Sequence, residues 1–343
     1  MIKNYLKIAW RSLWKHKAYS LINIVGLSIG LTACLIVATV VFDELSYDHQ
    51  WSKADNIYRV LSKNNGLKDD GFVPATFAGF GPMVKKDLPE VDDYCRMSVS
   101  DDRLVLTDNK EGIAFRNLSA EPSVWNLLDF KVLQGDPHKF VKGYTNLIIT
   151  KKIQQAYFAG QNPVNKIIKT QPQYGKPQQY LITGVIDNIP QNTHLRADFI
   201  TVREHPIYDN QMTRNDQGFT FLQQYILLKP GVNIKAFTAK VNGWYKKQLT
   251  PNTPDFGFGF QSIKDVYLRS DFNWYQQVHG SITTVYIFSG VAVLLLVIAC
   301  INFVNLTVSR VFNRSKETGI RKVLGAEKMQ LVIRFWQNPQ YFL

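Results

Sequence analysis

Three acidic groupings are the first places where this chain could do chemistry. Asp69-Asp70-Gly71 could open a cation-binding loop, and Asp92-Asp93 and Asp101-Asp102 could share a proton. The spacing argues against both. A calcium loop needs oxygens at alternate positions, so Asp69-Asp70-Gly71 reads as a turn. Neighbours in a strand point to opposite faces, so neither aspartate pair makes one acid/base site. The six histidines are scattered, and no Cys/His spacing fits a metal. The chain has no G-x-x-x-x-G-K-[ST] loop to cradle phosphate, no G-x-S-x-G and no H-E-x-x-H. The expectation is a protein that is not an enzyme, with no catalytic residue, no metal and no cofactor.

A basic stretch offers a different chemistry. RSKETGIRKVLGAEKM, residues 314–329, directly follows the longest apolar run. Taken as a helix over 316–324, it puts Ile320, Val323 and Leu324 on one face, with Arg321 and Lys322 to the side. Gly325 suits the left-handed position that stops a helix, and a second helix can start at Ala326. The expectation is a short basic helix turned sharply at both ends. It could bind anionic lipid or dock into a partner and carry motion to the adjoining apolar segment.

Two elements must position that stretch. Ala18 to Phe42 and Ser281 to Ser309 carry no charge. Each holds at least the roughly 20 apolar residues that cross a hydrocarbon core as a helix. Spans are expected near 21–41 and 285–308. The first is read as an uncleaved anchor: its apolar run is too long for a signal peptide and no small-residue cleavage site precedes Phe42-Asp43-Glu44. Asn302 and Asn305, three apart, share a helical face in the second span. With Asn23 and Ser28 in the first span, they are candidates for helix–helix packing through polar groups.

Charge gives an orientation. Lys3, Lys7, Arg11, Lys15 and Lys17 precede the first span without an acid. After the second, Arg310, Arg314, Lys316, Arg321, Lys322, Lys328 and Arg334 outnumber Glu317 and Glu327. The formal charge of +13 thus sits mostly in the two tails. By the positive-inside rule both tails are cytoplasmic and the segment between the spans lies outside. The basic residues flank apolar runs rather than an aromatic groove, so no nucleic acid is expected. Residues 1–17 read as an interfacial amphipathic helix, with Lys7, Trp10, Arg11 and Trp14 at headgroup depth.

The expected organisation is an interfacial helix at 1–17, spans at 18–42 and 285–309, an α+β domain at 43–284 and a cytoplasmic segment at 310–343. Between the spans, strands are expected at 57–62, 94–99, 103–107, 112–118, 146–150, 179–185 and 221–228. Helices are expected at 76–88, 121–128, 151–158 and 234–248. Loops are expected at 64–71, 171–178 and 250–259. Interleaved strands and helices favour mixed α/β over a sandwich. Cys95 is alone in this domain, so it forms no internal disulfide. Cys34 and Cys300 fall within the spans.

These residues carry a resemblance. Glu317-Thr318-Gly319-Ile320-Arg321-Lys322-Val323-Leu324-Gly325-Ala326 resembles the E-x-G-[IV]-R-[KR]-x-x-G-A signature of FtsX-like ABC transporter permeases of the MacB superfamily. YLKIAWRSLWKHKAYSLINIVGLSIGLTACLIV and FDELSYDHQWSKADNIYRV are similar to the start of such permeases from Bacteroidetes-type bacteria. NLIITKKIQQAYFAGQNPVNK and YLITGVIDNIPQNTHLRADFI are similar to their periplasmic core domain.

The resemblance implies a permease subunit of the bacterial inner membrane with a MacB-like periplasmic core. Residues 317 and 319–326 would couple to a cytoplasmic ABC ATPase subunit. A second permease subunit would complete a dimer, and a periplasmic adaptor or substrate would meet the outer domain. Movement of that domain, driven by ATP hydrolysis, would serve efflux of antibiotics or peptides, lipoprotein release or control of wall hydrolases. Family members continue into further spans, so this chain is expected to be an N-terminal fragment. Two readings compete. A two-span receptor with an extracytoplasmic ligand-binding domain normally carries a longer cytoplasmic output. An anchored outer-face enzyme needs a constellation that the sequence lacks.

Overall fold

The computed structural model describes residues 17–65, 71–105, 113–139, 141, 144–159, 161–171, 178–203, 221–250, 254–270 and 278–323. The chain divides into two units: residues 44–282, and the helices before and after them.

The first unit is built from α1 (Lys17–Leu45) and α6 (Ile282–Val323). Each holds a window long and apolar enough to cross a membrane, Ile24–Leu45 and Ile282–Val304, and almost none of either window is buried by protein. The core helix of a soluble protein would be mostly buried, so composition and exposure together favour lipid as the solvent. The two helices run antiparallel. A Cβ at Gly26 would sit 2.8 Å from the Asn302 amide nitrogen, and one at Gly30 would sit 3.0 Å from Ala299 Cβ. This G-x-x-x-G pair lets the backbones approach closely, which is how helices associate in lipid. Ile22, Ile29, Leu35 and Ile36 are exposed on the other sides of α1.

α6 departs from expectation. The basic stretch does not form a separate helix after a turn. It continues α6 without interruption to Val323. The segment from Ser309 to Thr318 contains neither Gly nor Pro, so nothing in it favours a break.

The second unit joins two β-structures. The first is a βαββαβ frame: β1 (Ile57–Asn64), α2 (Phe80–Asp87), β3 (Val91–Val105), β11 (Gln224–Leu228), α5 (Ile234–Lys246) and β12 (Phe256–Ser262). The strand order β12-β1-β11-β3, antiparallel throughout, is that of a ferredoxin-like split βαβ. α2 and α5 bury Phe80, Val84, Phe237, Val241 and Tyr245 against Val60, Ile226 and Phe258.

Between β3 and β11 lies a long insertion: β4 (Ile113–Ala120), α3 (Val124–Leu127), β5 (Val132–Gly135), β6 (Thr145–Thr150), α4 (Lys151–Phe158), β7 (Ile167–Gln171), β8 (Gln178–Ile186), β9 (Phe199–Val202) and β10 (Phe221–Leu222). Pairings run β3-β4-β9-β6-β8-β7 and back to β3, closing a ring of six strands. Phe115, Leu147, Ile149, Ile168, Ile182 and Phe199 form one buried cluster within this ring, and Ile153 of α4 joins it. Closure removes open strand edges. β5 pairs with the far half of β8, and β10 pairs with β2 (Thr76–Phe77).

Most expected elements are present with small boundary shifts, and four differ instructively. The helix expected at 76–88 begins only at Phe80. Gln224 accepts from Gly81 N and donates to Phe77 O, at 2.8 Å each, which holds Thr76–Phe77 extended. Pro82 then falls in the first helical turn, where a missing N–H costs nothing. The runs at 94–99 and 103–107 are parts of one strand, β3, through Val105. The strand expected at 221–228 is divided at Gln223 between β10 and β11. The loop expected at 250–259 becomes β12 from Phe256. Its F-G-F-G-F alternation is strand periodicity: Phe256 and Phe258 face the core, while Gly259 lies against the Phe72 ring. β5, β7 and β9 were not foreseen.

Candidate functional site at the entry and exit of the second unit

The segment directly after α1 is held by a buried polar network. Asp48 takes a left-handed backbone, φ 59°, which after glycine the short polar side chains of Asn and Asp adopt most readily. Its N–H donates to Asn192 O at 2.9 Å. Its carboxylate gathers three donors from the 192–196 loop and one tryptophan. Thr193 Oγ1 donates to Oδ1, His194 N donates to Oδ2 at 3.2 Å, and Trp51 Nε1 reaches Oδ1 at 3.4 Å. The His194 ring lies with Nδ1 2.7 Å from Asp48 Oδ2 and Nε2 2.8 Å from the Tyr225 hydroxyl.

Tyr225 of β11 extends the network to Arg59 of β1, to which it is hydrogen-bonded. Arg59 Nη2 donates to Gln261 Oε1 at 2.6 Å and to Ser270 Oγ at 2.7 Å. The chain is thus Asp48–His194–Tyr225–Arg59–Ser270. It crosses the central strands of the frame and joins the segment after α1 to the segment before α6.

A second link lies beside it. The Tyr47 and Tyr267 rings stack with centroids 3.4 Å apart. Tyr267 OH donates to Glu44 Oε1 at 3.2 Å, and Arg196 donates to the Tyr47 hydroxyl while its guanidinium covers that ring. Gly280 N donates to Tyr267 O at 2.9 Å. A Cβ at Gly280 would fall 2.7 Å from the Tyr267 ring and 2.8 Å from Glu44 Oε2, so a glycine is required there.

The electrostatics are those of a buried site. Burial pushes the Asp48 carboxyl up, but His194 and Thr193 together more than offset it and hold it below the usual range. Burial draws the Arg59 guanidinium down, with Tyr225 opposing. Burial, then the neighbouring Tyr47 and Glu44, push the Tyr267 hydroxyl up. An Asp–His–Tyr line resembles a proton relay. The Asp48 and His194 side chains are 0% exposed, and the line ties the segment after α1 to β11. Among the described residues no cluster of His, Cys, Asp and Glu could hold a metal.

Of the residues singled out by sequence, Glu317 and 319–323 lie in the last turns of α6. Leu324, Gly325 and Ala326 lie outside the described residues, as do Lys7, Trp10, Arg11 and Trp14. Asn302 is half-buried against Gly26, whereas Ser28 is exposed and faces away from that contact. Asn23 and Asn305 are in helix, but their side chains lie outside the described set. The junction network was missed. Asp48 and His194 are 146 positions apart, a separation that carries no local spacing signal.

Comparison with known proteins bears on this architecture. No curated protein matches the chain. Solved structures similar to this chain include the following. A domain assigned to a permease protein from Porphyromonas gingivalis has TM-score 0.51 and 15% identity, covering 69% of this chain and 98% of that one. The periplasmic region of MacB from Actinobacillus actinomycetemcomitans has TM-score 0.42 and 11% identity, covering 62% and 91%. The extracellular domain of the ABC-type transporter YknZ from Gram-positive bacteria has TM-score 0.40 and 11% identity, covering 60% and 100%. Residues 20–243 match the family described as MacB-like periplasmic core domain. With its two apolar helices flanking an α+β domain in sequence, the chain belongs to the MacB-like periplasmic core domain family, that of the FtsX- and MacB-like ABC permeases.

Proposed function

We propose that this chain is the permease subunit of a mechanotransmission ABC transporter, anchored in the bacterial inner membrane. A separate cytoplasmic ATPase docks on Glu317, Gly319, Ile320, Arg321, Lys322, Val323, Leu324, Gly325 and Ala326. Its cycle displaces the end of α6, and the displacement reaches the periplasmic domain. A second permease subunit completes the assembly, both termini are cytoplasmic, and the output is efflux, lipoprotein release or wall-hydrolase control.

The observation that carries this reading is the continuity of α6. It has 42 residues, or about 63 Å at the rise of an α-helix. One uninterrupted rod therefore both crosses the apolar layer and bears the basic stretch. The junction network supplies the other end of the path, because it fixes the residues before α6 to β1 and β11. No polar conduit through the membrane is needed for such a device.

The test is affinity capture of the full chain from its own membranes in mild detergent, with mass spectrometry of what is retained. An ABC ATPase should accompany the wild type and be lost with Arg321→Glu or Glu317→Lys, while membrane insertion is unchanged. Retention of the ATPase by both variants would remove the coupling assignment.

A further inference from the structure

A cleft of about 250 Å³ adjoins the junction. Gln50 and Trp51 wall it from the segment after α1, Asp129 and Phe130 from the loop before β5, and Asp187 and Pro190 from the segment leading into the 192–196 loop. It is smaller than the roughly 300–1,000 Å³ of pockets that enclose whole small molecules, so it suits a single side chain.

Its chemistry selects the sign of that side chain. Trp51 and Phe130 meet edge to face with centroids 5.4 Å apart and form an aromatic floor. Two carboxylates stand on the rim. Asp129 uses Oδ2 to accept from Ser52 N at 2.6 Å, and Asp187 uses Oδ1 to accept from Asn188 N at 2.9 Å. Asp129 keeps its second oxygen, and that of Asp187 faces Lys131 Nζ. The lysine on the rim, Lys131, is 4.0 Å from Asp187, and both are well exposed, so solvent screens that pair. Carboxylates over aromatic rings attract a guanidinium or ammonium and repel an anion. The occupant would touch both halves of the clamp on Asp48, because Trp51 donates to Asp48 and Pro190 leads into Asn192, which accepts from Asp48 N.

We propose that this cleft receives the arginine or lysine side chain of an extracytoplasmic polypeptide partner. The proposal rests on the permease reading only in placing the cleft outside the membrane, and it names the chemistry of what the outer domain engages.

The test uses the full chain in lipid nanodiscs, labelled with 5-fluorotryptophan at its seven tryptophans. The fluorine resonance of Trp51 is assigned by its loss in Trp51→Phe. The probes are Gly-Arg-Gly amide, its citrulline counterpart, which lacks the charge, and spermidine. The Trp51 resonance should move saturably with the arginine peptide and stay still with the citrulline peptide. Binding should be about tenfold weaker in Asp129→Asn/Asp187→Asn, the effect of losing a charge-assisted contact. The amide oxygen that replaces the carboxylate at position 129 still accepts from Ser52 N. Should that variant misfold, Gln50→Lys puts a cation on the exposed rim and should weaken binding similarly. A silent Trp51, an equal response to citrulline, unchanged affinity in Gln50→Lys, or tighter binding of spermidine than of the peptide would each overturn the proposal. No ATPase is present in this assay, so its failure leaves the ATPase-capture result untouched.

Discussion

The Asn242 side-chain amide grips both backbone groups of Phe258, donating to its carbonyl at 3.0 Å and accepting from its N–H at 2.9 Å. Phe258 lies on β12, the outermost strand of the frame. A helix side chain thus takes the place of a neighbouring strand and blunts an edge that would otherwise template aggregation. Asn242→Ala leaves two main-chain groups without partners and should cost about 1–3 kcal/mol. Thermal unfolding in detergent should show that loss together with increased aggregation. An unchanged melting temperature would mean that solvent satisfies both groups.

Asp48→Asn should be among the most damaging single changes outside the apolar cores. It removes the charge from buried hydrogen bonds and sets an amide donor against donors, a loss of about 1–3 kcal/mol. The pH dependence has a definite sign. The Asp48 carboxyl is held below its unfolded value, so its stabilisation is fully present above the ordinary carboxylate pKa of about 4. It is lost as pH falls from there through the lower folded value. Denaturant midpoints measured between neutral and acid pH should fall more steeply for the wild type than for Asp48→Asn. Parallel curves would show that the carboxylate charge contributes nothing.

Gly30→Leu should push α1 away from Ala299 at a cost of about 1–3 kcal/mol, the usual penalty of overpacking. Ala299→Gly in the same chain should recover part of that loss by reopening the space. The checking measurement is a double-mutant cycle on thermal stability in one detergent. Additive effects would place the leucine away from α6.

Ser315→Pro should interrupt the α6 rod between its apolar part and its basic end, at about 3 kcal/mol for an interior proline. On the proposed mechanism the ATPase is still captured, but ATP no longer alters protease protection of the outer domain. Retained ATP-dependent protection would show that the continuity of the helix is dispensable.

Cys95 is fully buried, and burial pushes its thiol up to about 12. In a chain lacking Cys34 and Cys300, iodoacetamide at mildly alkaline pH should label Cys95 only after unfolding, because the reactive species is the thiolate. Labelling of the folded protein would indicate local opening between β3 and α3.

The fold is most legible in the sequence where the signal is local. Charge-free runs located α1 and α6, and Lys151–Phe158 emerged with its expected bounds because strand and helix periodicities change sharply at Thr150. It is least legible where a distant residue decides. Gln224 keeps Thr76–Phe77 out of α2 from more than 140 positions away. Gly257 and Gly259 invite a turn reading, yet the phenylalanines between them pack on α5 and make a strand. The junction depends on Asp48, Arg59, His194 and Tyr225 meeting in space, and nothing in the neighbourhood of any one of them announces the others.

The position of the strand ring within the frame sets an order of assembly. β1 and β3 cannot complete their sheet until β11 and β12 arrive, more than a hundred residues later, and such distant pairings are slow to form. Most of the ring's strands lie together between those two pairs. During export the ring can therefore mature while β1 still waits with an unpaired edge. The half-made frame is the stage at which this chain most needs protection from its own kind.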